Sequence, residues 1–126
     1  MTATTESMLF DGAGHVASIA EEYKTRLTAV KERIDAYNAD CMRRYATDEY
    51  HAAAARIRGA AQWLAGDYDV SYAGPHPSFG SSLEDFRVHY ANDSLRAALH
   101  SLVWAEMYAG LRTRESAQSA DPWNKR

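Results

Sequence analysis

The stretch VASIAEEYKTRLTAVKERIDAYNADCMRRY, residues 16–45, decides the fold. Its apolar side chains fall at Val16, Ala20, Tyr23, Leu27, Val30, Ile34, Tyr37 and Cys41, in alternating steps of four and three. No glycine or proline interrupts it. That rhythm predicts one long helix, about 16–46, packing along a narrow seam as coiled-coil helices do. Other helices, or a second chain, must cover the seam.

Working downstream, a boundary is expected near residue 47, where Thr47 or Asp48 can cap a second helix over 48–65. Tyr50, Ala54, Ile57, Ala61 and Leu64 form its expected apolar face, and Gly66 ends it. Because that face is mostly alanine, close packing against the first helix is expected. Gly66 to Ser82 breaks the pattern. Tyr68, Val70 and Tyr72 alternate with polar residues, and Gly74-Pro75-His76-Pro77 cannot continue a helix. A connection this long exceeds the usual link between bundle helices.

Ser82 followed by Asp85 starts a third helix, 83–112, whose edge is Val88, Ala91, Leu95, Ala98, Leu102, Ala105 and Ala109. Asn92-Asp93-Ser94 offers an alternative, a break near residue 93 that makes two helices from one. Beyond residue 115 the chain is a polar tail, in which Asp121-Pro122-Trp123 cannot extend a helix. Upstream, residues 1–14 read as a lead-in, with Met8, Leu9 and Phe10 docking across the bundle. The first helix starts between His15 and Ile19, since Ser18 and Glu21 have capping-box spacing.

Composition bounds the function. A chain of 126 residues fits one domain. A net charge of −3 and a pI near 5.9 give no general attraction to phosphate backbones or anionic membranes. Nucleic acid is therefore not expected as a partner. No run of apolar residues is long enough to cross a bilayer, no basic-then-apolar leader opens the chain, and a cytoplasmic location is the expectation. The single cysteine cannot form an internal disulfide, and its seam position reads as a buried apolar residue. Against 23 alanines stand only 8 leucines, so 8 tyrosines and 3 tryptophans supply much of the bulk. Tyrosines at seams bury their rings and leave hydroxyls at the rim, as protein interfaces do.

The polar residues that could carry chemistry are few. Asp85, His89, Asp93, Arg96 and His100 form one stripe on an ideal third helix. Asp85, His89, Asp93 and His100 are the candidate metal ligands or proton-transfer groups. Arg96 intrudes with a positive charge, and zinc needs three or four ligands in a compact arrangement. A solvated face with intrahelical ion pairs is the expectation, with no catalytic residue, cofactor or metal assigned. The chain has no His-Glu-x-x-His, no phosphate-binding glycine loop and no cysteine cluster. Glu106 reads as a partly exposed edge residue.

The expected fold is all-α: a single-domain, three-helix, largely antiparallel bundle with one long helix and a long aromatic, proline-containing loop. The alternative is four helices by the break near residue 93. The expected function is a non-enzymatic protein–protein interaction module, an inhibitor or scaffold subunit of a larger assembly, with a homodimer or another protein covering the excess seam. Tyr68, Tyr72, His76, Phe79 and Trp123 are its interface candidates. The alternative is a small helical metal-binding protein or enzyme using the Asp85–His100 stripe.

Overall fold

The structure, a computed structural model, describes residues 13–36, 40–66 and 83–124. These form four helices that pack together, with no strand among the described residues: α1 (Ala13–Ala36), α2 (Asp40–Ala65), α3 (Leu83–Tyr108) and the short α4 (Arg114–Ala120). The all-helical expectation holds.

The seam of α1 is buried as the heptad spacing requires, from Val16 through Ala20, Tyr23, Leu27 and Val30 to Ile34. It packs against α2 and α3 of its own chain. Several boundaries differ from expectation. The first helix ends at Ala36 instead of 46, and no break occurs near residue 47. There the Thr47 hydroxyl donates back to the Arg43 carbonyl at 2.7 Å. A side chain bonded four residues back is a mid-helix arrangement and caps nothing. Ala46 beside it is fully buried in the core. Upstream, α1 begins at Ala13, so Ser18 lies exposed within the helix and not at its cap. Tyr37 and the side chain of Cys41 lie outside the described residues.

The most extensive helix–helix interface joins α2 to α3. Three contacts fix their antiparallel register. Tyr45 meets Tyr108 at one end with ring centroids 5.3 Å apart. Arg56 donates to the Ala97 carbonyl at 3.4 Å near the middle. Trp63 stacks on Tyr90 at 4.9 Å towards the other end. This register brings Ala46, Ala53 and Ala60 on α2 to within two residues of level with Ala105, Ala98 and Ala91 on α3, all six of them buried. Two alanine rows at seven-residue spacing let the helices approach closely, since neither carries bulk beyond Cβ. The fully buried face of α2 is thus Ala46, Ala53, Ile57 and Ala60; the expected Tyr50, Ala54 and Leu64 pack against it partly buried, and the expected Ala61 is exposed.

On α3 the whole expected edge from Val88 to Ala109 is buried. The helix runs unbroken through residue 93, so the break expected there in the four-helix alternative does not occur. The polar triplet there divides between faces: Asn92 is buried, while exposed Asp93 approaches His89 at 3.5 Å. The fourth helix comes instead from the tail.

Gly110 ends α3 at φ 81°, in the left-handed region that glycine tolerates. Its N–H donates to Met107 at 3.0 Å and that of Leu111 to Glu106 at 2.8 Å, the paired bonds of a Schellman cap. This turn carries Arg112 back to Glu106, which is buried and not at an exposed edge. Arg26 of α1 reaches the same carboxylate through two bonds, at 2.7 and 3.0 Å. The hydrogen bond to Glu106, foremost, holds the Arg26 guanidinium above its ordinary pKa.

The alanine rows give a direct check. Ala60→Leu should destabilise the fold by about 1–3 kcal/mol through overpacking. Ala61→Leu, one position on but exposed, should stay within about 0.5 kcal/mol of wild type. Chemical denaturation of both variants measures the difference, and equal effects would place the α2 face wrongly.

Candidate functional site

The site is built where the tail folds back on the bundle. His100 and Trp104 lie one turn apart on α3, so both project to one side. The Schellman turn at Gly110 reverses the chain, and Thr113 caps α4 by accepting from the Ser116 N–H at 3.1 Å. α4 then ends at Asp121, whose side chain is only 7% exposed. Its carboxylate takes hydrogen bonds from His100 Nδ1 at 2.8 Å, Trp104 Nε1 at 2.8 Å and the Trp123 backbone N–H at 2.9 Å. Burial opposes ionisation of Asp121, yet these bonds together outweigh it and hold the carboxyl below its ordinary value. Since the ionised carboxylate only accepts, Nδ1 of His100 carries the hydrogen.

Trp123 closes over this arrangement. Its ring stacks on His100 with centroids 4.2 Å apart, and the Arg56 guanidinium lies 5.7 Å from its centre. The tail tryptophan therefore packs back on the body while staying 49% exposed.

Beside His100 opens a cleft of about 400 Å³ between α2, α3 and α4, lined by Tyr45, Asp48, Glu49, His100, Trp104, Tyr108 and Arg114. Tyr45 and Glu49 stand one turn apart on α2, as do Trp104 and Tyr108 on α3. The rings form a chain, Tyr45 to Tyr108 at 5.3 Å and Tyr108 to Trp104 at 6.4 Å. Burial, foremost, raises the pKa of Glu49, with Asp48 and Asp121 adding to the shift and His100 and Arg56 opposing it.

No protein-family model, curated protein or solved structure matches this chain. The reading of the site rests on its geometry.

The stripe read from the sequence divides. Asp85 is exposed, His89 and Asp93 pair with each other, and His100 turns to Asp121. Among the described residues no group of three or more histidine, cysteine, aspartate or glutamate side chains is placed to hold a metal ion. Tyr68, Tyr72, His76 and Phe79 lie outside the described residues. Sequence reasoning missed Tyr45, Glu49, Trp104, Tyr108 and Asp121. The four-residue spacing of His100, Trp104 and Tyr108 was a usable signal, since it lines one helix face with polar-tipped rings. A second cleft of about 340 Å³, between α1 and α2, is lined by residues that include Lys31, Arg43 and His51. Lys31 there is already paired with Asp35 at 3.0 Å.

Two carboxylates of opposite behaviour give opposite pH signatures. The contribution of Asp121 is fully present above its ordinary value of 3.8 and is lost as pH falls through its lower folded value. Asp121→Asn should cost about 1.5–3 kcal/mol at pH 7, the scale of hydrogen bonds to a charged group. Its denaturation profile should also flatten in acid, and an unchanged acid limb would contradict the assignment. Glu49 works the other way: ionising it in the fold is unfavourable above its raised pKa. Glu49→Gln should melt higher than wild type at pH 7, with the gap closing as pH falls towards 4.5, the ordinary glutamate value.

Proposed function

We propose that this chain is a non-enzymatic protein-binding module, an inhibitor or scaffold subunit of a larger assembly, whose partner docks over the α2–α3–α4 cleft. One observation carries the reading: large apolar side chains stay exposed at the end of the bundle where the cleft opens. Tyr45 is 52% exposed, Leu111 48% and Met42 38%. Met42 lies one turn before Tyr45 on α2, and Leu111 follows the Schellman glycine three residues after Tyr108, which touches Tyr45. Aromatic and methionine side chains are enriched at protein interfaces. The α1 seam, by contrast, is covered within the chain and supplies no argument for a second copy.

A second reading, proton-transfer chemistry, draws on one specific feature. His100 is oriented by Asp121 in the manner of a base and its orienting carboxylate, beside an acid of raised pKa, Glu49. Trp123 stacked over the imidazole favours docking over catalysis, because it covers one face of the ring.

The test combines light scattering with capture from native extract, using wild type and a Tyr45→Ser/Leu111→Ser double variant. A single partner, or a second copy giving a multiple of the 14.1 kDa chain mass, should be retained by wild type. The double variant should hold it at least tenfold more weakly, about 1.4 kcal/mol, at an unchanged melting temperature. A strictly monomeric wild type that retains nothing, or equal retention by the double variant, overturns the proposal.

A further inference from the structure

We infer that the α2–α3–α4 cleft receives one arginine or lysine side chain presented by the partner, held between the Asp48 and Glu49 carboxylates and the rings of Tyr45, Trp104 and Tyr108. The inference rests on the protein-binding reading and names what that surface recognises. Its first support is an imbalance of pairing. Among the described residues, Glu21, Asp35 and Glu106 each form an ion pair with a lysine or arginine within 4 Å, whereas Asp48 and Glu49 form none; Glu22, Glu32, Glu84 and Glu115 also form none but are exposed to water. Glu49 is nevertheless half-buried, its carboxyl held above the ordinary range by burial. A carboxylate in that position gains most from a cation that enters with it and replaces the water it has lost.

The basic side chains already nearby make their direct contacts elsewhere. Arg56 donates to the Ala97 carbonyl and lies over Trp123, and His100 gives its Nδ1 hydrogen to Asp121. Arg114 lines the cleft from α4, exposed and without an ion pair to either acid.

The second support is the aromatic wall. The faces of tyrosine and tryptophan attract ammonium and guanidinium groups, most strongly where water is displaced. Three linked rings beside two unpaired carboxylates therefore match an organic cation on both counts. An anion would meet both carboxylates against a single exposed arginine. A purely apolar group would leave the acids desolvated and unmatched. Size agrees as well: about 400 Å³ lies at the small end of ligand sites, suited to one long side chain and too small for a folded element.

The test titrates the full chain with Nα-acetyl-arginine methylamide and the lysine equivalent, following the Trp104 indole N–H resonance. The neutral isostere Nα-acetyl-citrulline methylamide and the anionic Nα-acetyl-aspartate methylamide serve as controls. Saturable shifts with the cations, at least tenfold weaker with citrulline and with Glu49→Gln or Tyr45→Ala, are expected. Citrulline or aspartate binding as tightly as arginine, or no saturable shift with either cation, overturns the inference. The two readings fail separately. Partner retention that survives Glu49→Gln but is lost in Tyr45→Ser/Leu111→Ser removes the cation site and keeps the module. Cation binding by a chain that retains no partner removes the partner as its source.

Discussion

The burial of two alanine rows, Ala46, Ala53 and Ala60 on α2 and Ala91, Ala98 and Ala105 on α3, in the interface between these helices is the constraint on which the rest of the structure depends. Alanine buries little area, so such a seam stabilises by proximity and helix propensity more than by bulk. The larger side chains must then sit beside it. Leu95, Leu102 and Ile57 join the heptad seam of α1 in one buried core. Trp63, Phe86 and Tyr90 cluster towards one end of the α2–α3 pair, and Tyr45, Tyr108 and Trp104 towards the other. The cleft is a product of this arrangement: two closely spaced helices with rings standing off them leave a gap that α4 only partly covers.

Glu106 joins the elements that the alanine seam does not. It lies on α3, is gripped by Arg26 from α1, and is approached again by Arg112 after the turn. A buried carboxylate between two guanidiniums is weak evidence for stability but sets orientation, because loss of Glu106 would leave two guanidiniums facing each other uncompensated. The link ties the position of α1 to the angle at which the tail leaves α3, and so to the site that the tail completes.

The long-range periodicity was legible where side chains differ enough to mark a face. In α1, leucine, valine and isoleucine alternate with charged residues, and every described seam position is buried. In α3 the phase from Val88 to Ala109 identified both the buried edge and the continuity through Asn92. Alanine-rich α2 was harder to read: with Ala52 to Ala55 contiguous and Ala60 next to Ala61, composition does not choose between neighbouring phases. The boundary near residue 47 misled because Thr47 serves equally as a cap or as a back-bonded helical residue, and only the neighbours decide. The site was hidden for a tertiary reason. His100 belongs by spacing to a stripe with Asp93, yet its partner Asp121 arrives from the tail by way of a glycine turn and a separate short helix. No local window contains both.

One carboxylate beyond the last helix holds His100, Trp104 and the backbone of Trp123. Two side chains that line the cleft are thus positioned from a segment that is not itself part of its wall. The shape of the cleft consequently answers to events at the tail. Proteolytic nicking between Ala120 and Asp121, or a fusion that draws the tail off the bundle, would free His100 and the Trp104 indole to rotate while the alanine seam stays intact. The protein would then lose its site while keeping its helical bundle, at a cost in stability no larger than that of the Asp121 bonds themselves.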